Sequence, residues 1–202
     1  IQTNDSGYVL VGRTDTDDGI KFGMVRTDAQ GNERWYSTYG GGGGMWGEWP
    51  SSVIQTANGG FAMAGFTYSF GSESYAMWLI QTDENGDSLW SRAYGGRFDE
   101  NCSSLVLTSD GGFVLAGSTT SFGNGRADFL LVRTDANGDS LWSKTYGGGE
   151  WEECRSITQT SDGGFALAGR THSFGAGLAD FWLLRINSEG DSLWSCTFGG
   201  SE

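Results

Sequence analysis

The run Asn85-Gly-Asp-Ser-Leu-Trp90 returns as Asn137-Gly-Asp-Ser-Leu-Trp142 and as Glu189-Gly-Asp-Ser-Leu-Trp194, with a degraded copy ending at Trp35. The later tryptophans are 52 residues apart, and Phe61, Phe113 and Phe165 of a Gly-Gly-Phe motif keep the same step. Two independent markers therefore agree on one period, and the chain is four copies of one unit. A repeat of this length cannot bury its own apolar face and must stack on its neighbours, which gives one continuous core and a single domain over residues 1-202. The first copy is irregular: 27 residues separate Tyr8 from Trp35, against 29 from Phe61 to Trp90.

Thirty-five glycines, one proline (Pro50), many Ser and Thr and few Lys predict a turn-dense all-β protein. With 12 basic and 25 acidic side chains the net charge is −13, which opposes nucleic-acid phosphates and anionic lipid, so no nucleic acid and no membrane insertion are expected. There is no apolar run of bilayer-spanning length and no charged-then-apolar leader, as in a mature protein or an excised piece of one. Cys102 and Cys154 hold one repeat position while Cys196 stands where other copies have Arg92 and Lys144, so buried thiols are expected rather than a disulfide framework, with an intermolecular bridge as the alternative.

Four short β-like runs fill each period. Gly164–Thr171 alternates large and small residues, as at a crowded axis; Asp180–Arg185 is apolar on both faces, as between sheets; Ser192–Phe198 follows a polar turn; and the polar run Cys154–Thr160 is placed outermost. Four antiparallel strands per unit predict a β-propeller of four blades of about 52 residues, approximately 4-56, 57-108, 109-160 and 161-202, with a β-solenoid as runner-up.

Arg133-Thr-Asp-Ala-Asn-Gly-Asp-Ser-Leu-Trp142 resembles the tryptophan-docking repeat of quinoprotein-type propellers, which implies that Trp35, Trp90, Trp142 and Trp194 pack on the adjacent blade. Trp142-Ser-Lys-Thr-Tyr-Gly-Gly148, Ser161-Asp-Gly-Gly-Phe165 and Ser173-Phe-Gly175 resemble repeats of secreted bacterial and archaeal propeller proteins, which implies an extracellular or cell-surface location. The resemblance covers all four copies and speaks to architecture, because such propellers host unrelated activities.

Ile1-Gln2-Thr3 aligns with Ile54-Gln-Thr56, the tail of the run placed outermost, and Glu202 aligns with Glu150 just before it. The last blade is therefore expected to lack most of one strand and to offer an open edge. Three arrangements fit: a four-bladed ring closed through Ile1 to Thr3, an eight-bladed ring of two chains, or completion by another subunit or adjoining propeller repeats.

Asp83-Glu-Asn85-Gly-Asp87 and Asp135-Ala-Asn137-Gly-Asp139 alternate oxygen-bearing side chains as a Ca²⁺ site does, and a hairpin turn in which Asp caps a backbone amide explains the same spacing. The copy Asp28-Ala-Gln-Gly-Asn32 favours the turn. His172 is the sole histidine, which excludes a multi-histidine metal site or a triad within one chain. Asp128 and Asp180 are repeat equivalents, with Ala76 and Lys21 at the matching sites, and are read as turn caps rather than an acid-base pair. Within the loop at 39-50, Met45 and Trp46 have no counterpart and Trp49 is matched to Trp151; with the terminal residues they form the expected interaction surface. Asn4-Asp-Ser6 and Asn101-Cys-Ser103 match the glycosylation pattern.

Without a triad, and with no cofactor motif to match the quinoprotein resemblance, the sequence points to no enzyme and no cofactor. A non-catalytic extracellular scaffold or assembly module is expected, partnered by itself or by adjoining repeats. The alternative is a lectin-like module in which Ser69-Phe-Gly71 and its equivalents cradle glycans.

Overall fold

The computed structural model describes residues 1–41, 47–71 and 74–201. Among these there are fifteen strands and no helix. β1 (Tyr8–Thr16), β2 (Gly19–Thr27) and β3 (Glu33–Tyr39) form the first sheet; β4 (Glu48–Gln55), β5 (Phe61–Thr67), β6 (Ala76–Thr82) and β7 (Ser88–Tyr94) form the second. β8 (Glu100–Leu107), β9 (Phe113–Thr119), β10 (Asp128–Thr134) and β11 (Ser140–Tyr146) form the third, and β12 (Glu152–Gln159), β13 (Phe165–Thr171), β14 (Asp180–Ile186) and β15 (Ser192–Phe198) the fourth. All neighbours within a sheet are antiparallel. The protein is a β-propeller of four blades.

Three apolar layers join the blades. Val9, Phe22 and Met24 meet Phe61, Met63 and Trp78; Ala62, Met77 and Leu79 meet Phe113, Leu115 and Leu130; Val114, Phe129 and Leu131 meet Phe165, Leu167 and Trp182. Strands buried on both faces are apolar along their middle, as Ala76–Ile80 of β6 and Phe129–Val132 of β10 show. Each junction is also fastened at the rim. Trp35, Trp90 and Trp142 lie over the turn glycines Gly86, Gly138 and Gly190 of the next blade, and Tyr39, Tyr94 and Tyr146 donate their hydroxyls to the carbonyls of the same glycines at 2.6 Å.

The order of strands within the blade differs from expectation. β4, β8 and β12 line the axis, with the Ile157 amide of β12 donating to Ser104 Oγ of β8 at 3.4 Å and Ser51, Ser103 and Arg155 facing one central cleft. The run taken as outermost is thus innermost, and the Ser-Leu-Trp strands β7, β11 and β15 lie at the rim, where Leu89, Leu141 and Leu193 are exposed. The open cleft between the inner strands accepts polar side chains, so polarity did not mark the outside. A bulge between Cys102 and Ser104, repeated at Pro50/Ser52 and Cys154/Ser156, bends each inner strand toward its neighbour. At that approach the carbonyl oxygens of Trp49, Asn101 and Glu153 lie where a Cβ on Gly65, Gly117 or Gly169 would stand, which requires glycine there.

Blade limits shift accordingly: the sheets group as 48–94, 100–146 and 152–198, and the fourth sheet has all four strands. Ile1 to Thr3 pairs with the first sheet instead of the last. The Ile1 ammonium donates to the Val9 carbonyl at 2.9 Å, the Val9 amide returns to Ile1 O at 3.0 Å, and Gln2 bridges Tyr8. The register also sets Glu48 against Glu152, so Trp49 corresponds to Glu153 and not to Trp151. Glu202, Met45 and Trp46 lie outside the described residues.

Candidate functional site

Glu48, Glu100 and Glu152 open the three inner strands and are fully buried. Glu100 accepts from Thr119 Oγ1 and the Gly96 amide, both at 2.7 Å. Glu152 accepts from Thr171 Oγ1 and the Gly148 amide, both at 2.8 Å, and from the Ser173 amide at 3.1 Å. These carboxylates tie the Tyr-Gly-Gly loop to the Ser-Phe-Gly loop and fix the rim of the axial opening. The Ser-Phe-Gly loops are held in turn by Thr67, Thr119 and Thr171, whose hydroxyls accept from the amides of Phe70, Phe122 and Phe174 at 3.2 to 3.3 Å.

What faces each buried glutamate changes from junction to junction. Lys21 lies near Glu48, Ala76 near Glu100, and Asp128 near Glu152, both carboxylates of the last pair converging on Gly147. Burial pushes Asp128 above the usual carboxylate range and the Glu152 charge adds to the effect, while the Gly125 amide at 3.1 Å opposes it. Burial works against ionisation of Glu152 too, but the amides of Gly148 and Ser173 with the hydroxyl of Thr171 outweigh it and hold Glu152 below its usual value. One carboxyl is therefore inclined to keep its proton beside one inclined to lose it. Asp180, the repeat equivalent of Asp128, sits in the next blade away from this pair, so Asp128 and Asp180 do not form a site together.

The next residue along each inner strand points to the opposite face of the sheet. Here the copies diverge into chemistry. Blade two offers Trp49, stacked on Phe66 with centroids 6.2 Å apart and planes 11° from parallel, with Tyr75 edge-on to Phe66 at 5.3 Å and the Arg13 guanidinium 4.6 Å over Trp49. Blade three offers Asn101, whose Oδ1 accepts from the Ser118 amide at 3.2 Å. Blade four offers Glu153, bound by Arg155 at 2.5 Å and Arg170 at 2.8 Å. A cleft of about 410 Å³ runs from Phe66 past Asn101 and Ser103 to Glu153 and Arg155, and beside it a second of about 540 Å³ opens between blades three and four. Asp99, Trp151, Arg170 and His172 line the second cleft, with Glu153 common to both. Asp99 accepts the Ser74 hydroxyl and the Tyr75 amide (3.2 Å), which ties it to the aromatic cluster of blade two.

Sequence reasoning singled out Trp49, Asn101 and His172 for other reasons and missed Asp99, Glu153, Arg155 and Arg170. For Glu153 and Arg170 a signal was present: the copies disagree at positions 49/101/153, directly after 48/100/152 where they agree, and at 66/118/170, directly before 67/119/171 where they agree. The runs that hold the calcium candidates form hydrogen-bonded turns. Asp83 Oδ1 accepts the amides of Asn85 and Asp87 at 2.9 Å, Asp135 Oδ1 those of Asn137 and Asp139 at 2.8 and 2.9 Å, and in the last copy Asn187 does the same at 3.0 and 2.7 Å. A neutral amide thus fills the role, and Asp139 and Asp191 turn outward to Arg92 and Lys144 of the preceding blade. Cys102 and Cys154 are buried free thiols, pushed up to about 12 by desolvation, and Cys196 is an exposed free thiol. Asn4 is exposed in the first turn and Asn101 is half-buried in the cleft wall.

No family model matches the chain. It is 28% identical over 108 residues to the regulatory protein FlaEY of Caulobacter vibrioides, covering 47% of this chain and 11% of that protein. Among solved structures it resembles a protein of unknown function from Bacteroides caccae, with a TM-score of 0.59, 16% identity and coverage of 96% of this chain and 59% of the other. A GH43 endo-arabinanase from Bacillus licheniformis matches with a TM-score of 0.50 at 18% identity, over 98% of this chain and 78% of that one. A candidate glycoside hydrolase from Bacteroides ovatus matches with a TM-score of 0.51 at 11% identity, over 96% and 70%. The chain thus spans about a tenth of the curated relative and under two thirds of the Bacteroides caccae protein.

At these identities the likeness carries the β-propeller-type fold and not the quinoprotein-type repeat. It also corrects two expectations. The non-catalytic scaffold or assembly module, and with it the view that the chain is no enzyme, rested on the lack of a histidine triad and of cofactor motifs. Chains of this fold are named as glycoside hydrolases, whose chemistry runs on carboxylates, so that lack is no argument against catalysis.

Proposed function

We propose that the chain is a carbohydrate-active protein whose axial cleft binds a glycan and hydrolyses a glycosidic bond. One observation carries this reading: Phe66, whose ring stacks on Trp49, and the Glu153–Arg155 ion pair line the same cleft, and Arg170, the second partner of Glu153, lines the cleft beside it. Aromatic faces receive the apolar faces of sugar rings, and carboxylates and guanidinium groups receive their hydroxyls. Glycoside hydrolysis needs one carboxylic acid to protonate the leaving oxygen and one carboxylate to activate water or attack the anomeric carbon. Glu153, oriented by two guanidinium groups, takes the base or nucleophile role, and Asp99 at the cleft rim takes the acid role. Glu152 lines the second cleft, but its oxygens are held by the Gly148 and Ser173 amides and the Thr171 hydroxyl, and Asp128 is buried beside it, so the two shape the cleft. The names of the arabinanase and of the candidate glycoside hydrolase support the same class of chemistry.

The lie of Trp35, Trp90 and Trp142 over Gly86, Gly138 and Gly190 supports a tryptophan-docking style of repeat in this propeller. A polysaccharide substrate also supports action outside the cell. The test is incubation with a panel of plant and microbial polysaccharides, arabinan included, with reducing ends as readout. Turnover is expected on at least one, lowered 100-fold or more by Glu153→Gln at unchanged fold and raised in KM by Trp49→Ala. Absence of new reducing ends across the panel removes the hydrolytic reading.

A further inference from the structure

We propose that the two clefts that meet at Glu153 are one binding track for an uncharged oligosaccharide, and that Trp151 is the stacking platform that makes it select for length. This rests on the carbohydrate reading of the cleft and deepens it, naming the class of glycan and a residue that chooses it. Glu153 and Asn101 line both the cleft of about 410 Å³ and the cleft of about 540 Å³, so the two share a wall. Phe66 lines the first and not the second, and Trp151 the second and not the first. Each cleft has the size of a small-ligand pocket, in the range of about 300–1,000 Å³. A glycan stacked on both rings therefore carries Glu153 beside the linkage between its two halves.

The backbone at Trp151 is fixed before any ligand arrives. Positions 47, 99 and 151 directly precede the buried Glu48, Glu100 and Glu152. The carbonyls of Gly47, Asp99 and Trp151 accept the amides of Tyr68, Thr120 and His172 at 3.3, 2.9 and 2.9 Å. Blade three holds the other edge: Trp151 bridges Ala127 in parallel register, the Arg126 amide donates to the Glu150 carbonyl at 2.8 Å, and the Glu152 amide donates to the Ala127 carbonyl at 2.8 Å. The same repeat position thus presents no side chain at Gly47, a carboxyl at Asp99 and an indole at Trp151. Trp78 and Trp182, which fill the core, are buried, whereas Trp151 is 49% exposed. A large ring on a clamped backbone gives up little freedom when a ligand stacks on it.

Charge along the track sets the class of glycan. Arg155 and Arg170 both pair with Glu153, at 2.5 and 2.8 Å, and the other carboxyl groups on these walls are Asp99 and Glu152. Three carboxyl groups against two guanidinium groups leave the track acidic, in a chain of net charge −13. His172 is the only other basic side chain among the described residues of these walls. A uronate carboxylate meets guanidinium groups already held by Glu153, and the field of the whole protein repels it. Hydroxyl groups face no such barrier, because Asn101, Ser103 and Ser118 supply neutral polar partners on the same walls.

Calorimetric titration with gluco-, xylo- and arabino-oligosaccharides of one to four units, set against oligogalacturonides of the same lengths, tests this. At least one neutral series is expected to gain about 10-fold in affinity from one unit to three, with the oligogalacturonides about 10-fold weaker at equal length. Trp151→Ala should remove the gain with length and leave the circular dichroism spectrum unchanged, and Trp151→Phe should restore most of it. Affinity that does not grow with length, a gain that survives Trp151→Ala, oligogalacturonides that bind as tightly as the neutral series, or failure of every neutral series to bind overturns the proposal. Length-dependent binding through Trp151 without new reducing ends supports it and removes the hydrolytic reading, whereas turnover indifferent to Trp151 and to length does the reverse.

Discussion

The junction between blades three and four and the bare face of blade four are built from equivalent residues, and they differ in whether anything covers them. Phe129 and Phe181 hold the same place in the repeat, as do Trp142 and Trp194, and Tyr146 and Phe198. In the junction they are packed; on the face they are open to solvent. Local sequence is therefore sufficient to make the blade, and only the neighbour makes the core. The strands of blade four pair fully without a cover, which assigns the within-blade hydrogen bonds and the between-blade apolar contacts to separate tasks.

Substitutions break this comparison in graded fashion. The largest effect is expected from Phe129→Ala, at about 3–5 kcal/mol by denaturant unfolding, because a filled site becomes a cavity. Phe181→Ala in the single chain should cost under about 1 kcal/mol, since exposed positions away from special contacts change little. Equal costs at the two positions would mean that the face of blade four is covered in solution. Tyr146→Phe copies the last blade's residue into a packed junction and should cost about 1 kcal/mol by removing the hydroxyl from the Gly190 carbonyl. Lys144→Ala should move stability least of the series, because its ion pair with Asp191 is solvent-screened.

A pH series sharpens the view of the same junction. A carboxyl whose folded pKa is raised binds more protons folded than unfolded, so Asp128 favours the fold at acid pH and loses that contribution as pH rises through its raised value. Glu152, held low, contributes stability above its unfolded value and loses it as pH falls. Asp128→Asn should then raise the melting temperature at neutral pH and by less at pH 4. An unchanged difference across that range would show that the pair does not titrate with folding.

The period, the blade count and the turns were legible because each rests on local chemistry: a turn needing positive φ shows its glycine, and an Asx cap shows its Asp or Asn. Strand order was not legible, because the usual equation of polar with outside fails where the inner strands line an open cleft with Ser51, Ser103 and Arg155. Leu89, Leu141 and Leu193 mislead in the opposite sense, being apolar and at the rim. The cleft residues were hidden by adjacency. Glu152 and Glu153 look alike in the chain, and strand alternation sends the first into the blade and the second into the cleft.

That alternation makes the propeller a rewritable surface. The first residue of each inner strand fastens the loops and is Glu in all three; the second is Trp, Asn or Glu and carries no part of the fastening. Functional groups can therefore be exchanged between blades, for example by moving the Glu153 and Arg170 pair to Asn101 and Ser118, without touching the residues that set the loops. Differences at one position of each inner strand are enough to make the cleft of a repeated set of blades asymmetric.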